Sequence, residues 1–426
     1  MLIVHLSDIH FKKGDVTTVH DPNFHLRNEI LRDLAALRAR LGRADLVVVS
    51  GDVAFAGQPE EFEFATDWLK QACDACSADF RNVFVVPGNH DVDRNIADED
   101  LIQLIHRDIK GTSESGLDNK IRRYLTKPEA AALLYRSLNA YNVFAQQFFC
   151  DMLPSERTRI DRSFELNDGS TLKLWGVNSA FVSSSADRDD LCVDPATFQI
   201  TRHAAIVNMV VTHHHPSWLR QRQRVEDHYG DVAQIQLFGH IHTNRILRDE
   251  KFIRFTASAL HPDRTESNWE PGYNVLQVEV EREGGERRLH VKAHVRVWQE
   301  SPTQFRAKMN GEETFFEHWI KLEPWEASHV ADAPHTTTSE PPEAGRSDPS
   351  PNVETMSVLR ELGIRFYRLT FSQKSEIAGR LGLLEDQDMS APDFERFRRV
   401  FVRAGERKKL ADLKRAIEEA EGQTKR

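Results

Sequence analysis

The sequence predicts an α/β protein with a large mixed β-sheet. In the first 90 or so residues, short runs of aliphatic and β-branched residues alternate with longer segments of helical periodicity, in the order that a βαβ unit has. Later runs alternate apolar and polar residues, which is typical of antiparallel or edge strands. The length of 426 residues also exceeds what one hydrophobic core usually supports, so a second, smaller domain is expected.

The predicted elements follow one another in a regular order. Helices are expected at residues 28–41 and 60–76, where apolar residues such as Ile30, Leu34 and Leu37 recur at helical spacing. The predicted strands lie at residues 2–6, 45–50, 82–86, 172–177, 206–212, 235–238, 251–257, 273–280 and 290–297.

Changes in composition divide the chain. Residues 1–325 are predicted as one catalytic domain, in which residues of about 95–165 lack strand signals and suggest a helical insertion or cap. Residues 326–355 are rich in Pro, Ser and Thr and predict a disordered linker. Residues 356–426 then predict a small all-helical domain, with Ser372 as a helix cap and Gly382 as a helix end.

Bulk composition excludes several classes of protein. No apolar run approaches the roughly 20 residues of a membrane helix, and the start of the chain does not resemble a secretory signal, so a cytoplasmic protein without membrane contact is expected. The net charge of −10 disfavours a broad nucleic-acid surface, although a local basic groove stays possible. Cys73 and Cys76 form a C-x-x-C, for which helix packing is preferred over redox or metal chemistry.

Five short polar clusters follow predicted strands. Carboxyl ends of strands line the ligand crevice in open α/β sheets, so side chains that are distant in sequence converge there. G-H-x-H and G-N-H-D are expected by chance only about 0.05 and 0.003 times in such a chain, so these two motifs carry most of the weight. The clusters are Asp8-Ile9-His10, Gly51-Asp52, Gly88-Asn89-His90-Asp91, His213-His214-His215-Pro216 and Gly239-His240-Ile241-His242.

The residue types of these clusters fit a metal cage. Carboxylate, amide and imidazole ligands suit manganese, iron or zinc, and no thiolate occurs in any cluster. A shared Asp52 could bridge two ions roughly 3.5 to 4 Å apart. The sequence therefore predicts a dinuclear site.

In these ordered motifs the chain resembles the calcineurin-like metallophosphoesterase superfamily, over about residues 1–300. The sequences of its motifs are closest to those of bacterial cyclic-nucleotide-type (class III) phosphodiesterases. The resemblance implies a large mixed β-sheet sandwich flanked by helices and two divalent metal ions, either manganese, iron or zinc. It implies that Asp8, His10 and His242 hold one ion, that Asn89, His240 and a histidine of the triple run hold the other, and that Asp52 bridges them.

The resemblance also assigns roles beside the metals. The family's ligand histidine stands two residues before a proline, which selects His214, and strand alternation independently puts its two neighbours on the other face. His90 corresponds to a non-ligand histidine that contacts the phosphate and protonates the leaving group, and Asp91 is expected to orient it. Asn89, His90 and Arg94 are the expected substrate contacts.

The resulting hypothesis is hydrolysis of a phosphodiester of a small organic compound by attack of a metal-bridging hydroxide. Phe55 stands where purple acid phosphatases and protein phosphatases carry Tyr or Asp, which disfavours those two branches. One alternative is a metal-dependent nuclease, which the acidic charge counts against. Another is an effector phosphoesterase of a bacterial signalling or defence system, whose C-terminal helices bind a protein partner or, equally, self-associate.

Overall fold

The computed structural model of the chain describes residues 1–16, 18–152, 158–262, 269–326, 362–390 and 393–424. The chain divides into two compact units, Met1–Trp325 and Glu326–Arg426. Apart from residue 326, the predicted linker lies outside the described residues. None of the described helices combines the length and the apolar character needed to cross a membrane.

The first unit is built on two β-sheets. The strands in chain order are β1 (Leu2–Leu6), β2 (Leu46–Val49), β3 (Val83–Val85), β4 (Arg159–Glu165), β5 (Thr171–Val177), β6 (Ile206–Thr212), β7 (Ile235–Phe238), β8 (Arg245–Arg248), β9 (Ile253–Thr256), β10 (Gly272–Glu283), β11 (Glu286–Glu300), β12 (Thr303–Ala307) and β13 (Phe316–Lys321).

Each sheet contains a block of neighbouring parallel strands. The first sheet has the order β12-β11-β10-β1-β2-β3, with β13 on β11, and β1, β2 and β3 are mutually parallel. The second has the order β4-β5-β6-β7-β9-β8, in which β5, β6, β7 and β9 are parallel. Every residue of β1, β2 and β7 is buried, as expected for parallel strands covered on both faces. The predicted mixed α/β sandwich is confirmed.

Helices cover the sheets and share their hydrophobic core. Two long helices, α2 (Phe24–Leu41) and α3 (Pro59–Cys76), follow β1 and β2 in the chain and pack on each other. Helix α3 buries Phe62, Trp68, Cys73 and Cys76 on one face. Both cysteines are therefore core residues, as the helix-packing interpretation requires. The helices of this unit are α1 (Lys13–Val16), α2 (Phe24–Leu41), α3 (Pro59–Cys76), α4 (Arg94–Ala97), α5 (Asp100–Lys110), α6 (Glu114–Leu125), α7 (Pro128–Tyr135), α8 (Asn139–Ala145) and α9 (Arg222–Val232).

The insertion predicted at about 95–165 is helical only in its first part. Short helices α4 to α8 and a 3₁₀ turn that ends at Phe148 fit the prediction, but Arg159–Glu165 forms β4, antiparallel to β5. The strand was missed because one of its inward positions carries Arg162 instead of an apolar residue. That buried guanidinium donates to the carbonyl oxygens of Val83 (2.8 Å) and Phe148, so its charge is solvated by backbone.

The second unit has its own hydrophobic core. Its described helices include α10 (Phe371–Arg380), α11 (Asp393–Glu406) and α12 (Leu410–Thr424). The cap of α10 is Thr370, which accepts from the Gln373 backbone N–H in a capping box, and not Ser372 as predicted. The core residues include Phe366, Ile377, Phe397, Phe401, Leu413 and Ile417.

Candidate metal centre

The five polar clusters lie at the carboxyl ends of β1, β2, β3, β6 and β7, and they meet across the two sheets. The backbone N–H of His240, after β7 in the second sheet, donates to the carboxylate of Asp8, after β1 in the first (3.2 Å). Nε2 of His213, after β6, lies 3.1 Å from Oδ2 of Asp52, after β2. Loops from both sheets thus supply one cluster of side chains.

Several residues of this cluster have an unusual backbone. Positive φ angles occur at Asp8 (52°), His10 (51°), Asp52 (53°), His240 (70°) and His242 (54°). Residues other than glycine rarely adopt this left-handed conformation, which costs on the order of 1–3 kcal/mol each when the side chain gains nothing locally. Such strain persists where surrounding contacts over-determine the backbone, and it concentrates at functional sites.

Glycines beside the cluster are required by close approach. A methyl group on Gly88 would collide with Asp52, one on Gly239 with Ser7 and Asp8, and one on Gly51 with the ring of His213. The Gly in each of the G-D, G-N-H-D and G-H-x-H motifs therefore leaves room for a neighbouring polar side chain.

Asp8, His10 and His242 form the first group of potential ligands. One ligand atom from each lies within 4.8 Å of the others. Nε2 of His242 is 3.3 Å from Oδ1 of Asp8. Ser7 Oγ donates to the other oxygen of Asp8 at 2.5 Å and fixes that carboxylate. These three residues can coordinate one cation.

Asp52 lies at the centre of the cluster. Its Oδ2 is 3.2 Å from Nε2 of His10, and its Oδ1 accepts the backbone N–H of His90 at 2.8 Å. The side chain is 1% exposed. Asp52 therefore contacts His10 of the first predicted metal position and the backbone of the loop that carries Asn89 and His90.

Asn89, His214 and His240 form the second group. Nε2 of His214 lies 3.1 Å from Oδ1 of Asn89, and the rings of His214 and His240 are 4.5 Å apart. The hydroxyl of Ser179, just beyond β5, lies 2.8 Å from Nδ1 of His214. Such a partner on the far nitrogen orients an imidazole so that Nε2 can bind a metal.

His213 also belongs to the cluster, against the prediction from strand alternation. Its Nε2 lies 3.2 Å from Asn89 Oδ1 as well as near Asp52, and its Nδ1 lies 2.9 Å from the carbonyl oxygen of Ser50. The alternation argument was wrong because β6 ends at Thr212, so His213 is no longer held in the pleat. His215 faces outwards to Ser217 and Arg254.

His90 and Asp91 do not interact as predicted. Nδ1 of His90 lies 2.7 Å from the carbonyl oxygen of Phe55, which holds the ring. Asp91 is fully buried, and its two oxygens accept the backbone N–H groups of Ala54 (2.8 Å) and Gly88 (2.9 Å). Asp91 therefore ties the loops after β2 and β3 together instead of orienting His90. Arg94, the first residue of α4, is close enough for its charge to contribute to a lowered His90 pKa, which burial mainly causes.

The charges of the cluster are unbalanced without added cations. Burial would raise the pKa of Asp52 and Asp8, but His213 and hydrogen bonds from nearby histidines hold both carboxyls well below their usual pKa. Burial lowers the pKa of His214, and it lowers that of His240 to about 4, so both are neutral bases. For His213 the neighbouring carboxylates outweigh burial and raise the pKa to about 9. The two buried carboxylates therefore outnumber the single positive charge of His213, and together with the neutral His214 and His240 they match the donor set of divalent ions.

Two residues beside the cluster were not predicted. The hydroxyl of Ser179 orients the ring of His214. Ser179 lies just after a predicted strand, and this position was the one sequence signal that could have selected it. His261 follows β9, and its Nδ1 lies 2.5 Å from the carbonyl oxygen of Ile9. Burial and the charge of Arg27 lower its pKa to about 3. No motif surrounds His261, so no local signal could have selected it.

Comparison with known proteins agrees with this geometry. The family model of the calcineurin-like phosphoesterases matches residues 1–244, and that of the GTPase-associated adaptor domain matches residues 358–419. An uncharacterized metallophosphoesterase-like protein, YydB of Bacillus subtilis (strain 168), is 22% identical over 278 residues, 61% of this chain and 53% of the relative.

Two further proteins are similar over different extents. The glycerophosphodiester phosphodiesterase GpdQ of Enterobacter lignolyticus (strain SCF1) is 34% identical over 92 residues, 21% of this chain and 30% of that protein. The structure of Vacuolar Protein Sorting 29 from Cryptosporidium parvum has 11% identity and a TM-score of 0.31, covering 74% of this chain and 97% of that one.

The chain thus spans about half the length of the first curated relative and under a third of the second. The family match covers more than half of the chain and includes every predicted metal ligand from Asp8 to His242. The chain belongs to the calcineurin-like phosphoesterase family.

Proposed function

We propose that the Met1–Trp325 unit is a dinuclear-metal-dependent phosphoesterase that hydrolyses a phosphodiester of a small organic compound. The observation that carries the proposal is the pair of buried, ionised carboxylates, Asp8 and Asp52, surrounded by imidazoles that face them. A buried charge of this kind is stable when a cation balances it.

The described contacts support a division of the ligands between two positions. Asp8, His10 and His242 would hold one divalent ion, and Asn89, His214 and His240 the other, with Asp52 between them. His213 reaches the same carboxylate and is a further candidate for the second position. The donor set is compatible with manganese, iron or zinc.

The chain's own groups would position the ester and move protons. When bound, two divalent ions lower the pKa of a water molecule and polarise the phosphoryl oxygens. His90 lies within the cluster, and its Nδ1–H donates to the Phe55 carbonyl, so its Nε2 is the atom available to contact the phosphate. The ring would protonate the leaving oxygen in its imidazolium form, in which both nitrogens carry a proton. The positive charge of Arg94 lies near His90 and would favour an anionic substrate there.

A diester is favoured over a monoester by two similarities. The motifs around Asp52 and Asn89 resemble those of cyclic-nucleotide-type phosphodiesterases, and the matched relative from Enterobacter lignolyticus is a glycerophosphodiester phosphodiesterase. Both point to the class of bond cleaved, whereas specificity for the alcohol depends on the surrounding loops.

The test is turnover of bis(p-nitrophenyl) phosphate by the manganese-loaded protein, with p-nitrophenyl phosphate as the monoester comparison. We expect faster release of p-nitrophenol from the diester, and its loss with a chelator or in Asp52→Ala. Absence of turnover with manganese, iron and zinc, or turnover that survives Asp52→Ala, would reject the proposal.

A second role is proposed for the C-terminal unit, as an adaptor that binds a protein partner. Support comes from the match of residues 358–419 to the GTPase-associated adaptor domain, and from a core that is separate from that of the first unit. Deletion after residue 355 should leave diester turnover unchanged and abolish co-purification of the partner. A change from dimer to monomer on deletion, without any lost partner, would instead favour self-association.

A further inference from the structure

A cavity of about 260 Å³ opens beside His10, next to the metal centre. It is formed by the segments that follow β1, β2 and β9, together with the start of α2. Besides the imidazole of His10, its lining includes one positively charged side chain, one negatively charged side chain, one amide side chain and two aromatic rings. The lining residues are His10, Lys12, Asp15, Pro22, Asn23, Phe55, His261 and Pro262.

The hydrogen bonds of His261 define its tautomer. Nδ1 lies 2.5 Å from the carbonyl oxygen of Ile9, and a carbonyl accepts only, so Nδ1 carries the proton. In the neutral ring Nε2 is then an acceptor. The His261 backbone N–H donates to the Asp8 carbonyl oxygen at 3.2 Å, which fixes the residue beside the first metal position.

Nε2 of His261 is buried and has no hydrogen-bond partner among the residues that the structure describes. The residue as a whole is 4% exposed. An acceptor left unpaired in such a place is costly, and native sites usually satisfy it with water or a ligand. Because His261 lines the cavity, a small shift of its ring or of its neighbours would bring the unpaired nitrogen within reach of an occupant that donates a hydrogen bond.

Phe55 adds an apolar surface to the lining of the cavity. The ring of Phe55 is 38% exposed, and Lys12 Nζ lies 5.0 Å from its centroid. The ring of His90 lies 5.3 Å from that of Phe55, so this surface continues into the catalytic cluster. An organic group attached to a phosphate at the metals would pass between Phe55 and His261.

We propose that this cavity binds the organic group of the ester, and that the Nε2 atom of His261 accepts a hydrogen bond from a hydroxyl or amino group on it. The inference rests on the proposed function and names its substrate class, namely esters of compact polar alcohols. The volume lies just below the range of roughly 300 to 1,000 Å³ that is usual for small-molecule sites, so a compact group would fill it and a long acyl chain or an oligonucleotide would extend beyond it.

The test compares two phosphates that differ only in hydroxyl groups, 2,3-dihydroxypropyl phosphate and propyl phosphate, by calorimetry on the zinc-loaded full chain. We expect the dihydroxypropyl compound to bind about five- to tenfold more tightly, the effect of one well-placed hydrogen bond. In His261→Asn, the amide can still donate to the Ile9 carbonyl but cannot replace Nε2. The preference should then fall to within about twofold while binding of propyl phosphate is unchanged.

His203→Asn is the matched control, because His203 is exposed and lies before β6, at the opposite end of the strand from the site. It should keep the full preference. If His261→Asn does not fold, the ¹⁵N shift of His261 Nε2 in the wild-type chain gives the same answer, since it should move with the dihydroxypropyl ligand and stay with propyl phosphate.

Equal affinity of the wild-type chain for both phosphates would overturn the inference, as would a preference that survives in His261→Asn. Turnover of bis(p-nitrophenyl) phosphate is measured on the same preparations. Turnover without a hydroxyl preference would reject the cavity assignment alone, whereas a preference that requires His261 without any turnover would reject the proposed function alone.

Discussion

Among the described residues of the first unit, two groups of acidic and histidine side chains have metal-binding spacing, and they differ in how their charges are balanced. In one, the carboxylates of Asp8 and Asp52 are buried among imidazoles. In the other, Glu279 and Glu281 are 54% and 43% exposed, and both face one buried histidine, His290.

The second group is already satisfied. Nδ1 of His290 lies 2.8 Å from Glu281, its Nε2 lies 3.2 Å from Glu317, and its ring stacks on Trp319 at 4.5 Å between centroids. Exposed carboxylates are solvated by water and need no cation. The comparison teaches that spacing alone does not identify a metal site. The distinguishing feature is buried negative charge that exceeds the positive charge the protein places beside it, since His213 balances only one of the two carboxylates.

The largest effect is expected from Asp8→Asn, which removes one buried charge and one ligand. The value of kcat/KM for bis(p-nitrophenyl) phosphate should fall about 10³-fold, equivalent to about 4 kcal/mol, with loss of bound manganese. Glu279→Gln is the matched change in the other group and should retain both properties. A comparable fall in the Glu279 variant would contradict the comparison.

Metal binding at the buried carboxylates of Asp8 and Asp52 should stabilise the first unit, whereas the exposed group of Glu279 and Glu281 should contribute nothing to this stabilisation. At a free manganese concentration 100 times Kd, the free energy of unfolding should rise by about 2.7 kcal/mol over the chelated protein. Tryptophan fluorescence during urea unfolding measures this. Asp52→Asn should largely remove the gain, and the double variant Glu279→Gln with Glu281→Gln should keep it in full. If the double variant lost the gain instead, the exposed group would be the metal site.

A buried carboxylate that has protein cations sharpens the comparison. Asp388 in the second unit accepts hydrogen bonds from Arg403 and, at 3.1 Å, from Arg399. Asp388→Asn should lower the free energy of unfolding by about 2 kcal/mol, because Arg403 is buried but the partly exposed Arg399 can turn to solvent and reduce the loss. The Arg403 hydrogen bonds hold the Asp388 pKa below its usual range. Its folded pKa is lower than its unfolded pKa, so this stability is present above about pH 4 and lost as pH falls below it.

The two units allow separate readouts of that loss. All tryptophans lie at or before Trp325, so fluorescence follows the first unit and far-ultraviolet circular dichroism follows both. Asp388→Asn should shift a helical transition in circular dichroism and leave the fluorescence transition in place, with or without manganese. A shift in both signals would show that the two units unfold together.

The smallest effect is expected for Glu281→Gln. Exposed ion pairs contribute little, so the free energy of unfolding should change by at most about 0.5 kcal/mol, and 1 M salt should abolish the difference. Urea titration at two salt concentrations measures it. A salt-independent loss of several kcal/mol would mean that His290 and its glutamates form a structural site after all.

Much of the fold could be predicted because the central strands are continuous apolar runs. β1, β6 and β7 have the predicted bounds, and each is followed by a predicted cluster. β4 was missed because its buried arginine interrupts the apolar pattern. The charge of that arginine is solvated by carbonyl groups that only the folded chain brings close. Local patterns predict strands whose burial is apolar, but not those whose burial depends on tertiary hydrogen bonds.

Predictions about individual site residues failed where they assumed that sequence neighbours interact. Strand alternation placed His213 on the face away from His214, although it lies beyond the strand end and joins the cluster. Asp91 was expected to orient His90, although its partners are backbone groups in two loops. His261 contacts Ile9 across 252 positions of sequence. Such contacts depend on the packing of loops from two sheets, which no local pattern encodes.

The hydrogen bond between Asp8 and the His240 backbone joins residues that are 232 positions apart. Closing so long a loop costs conformational entropy, and chains dominated by distant contacts fold slowly for this reason. The polar cluster is therefore assembled only after the segments that carry Asp8 and His240 have docked. Metal binding at the proposed site would report completed folding, and a partly synthesised polypeptide that ends before the His240 loop would lack part of that site.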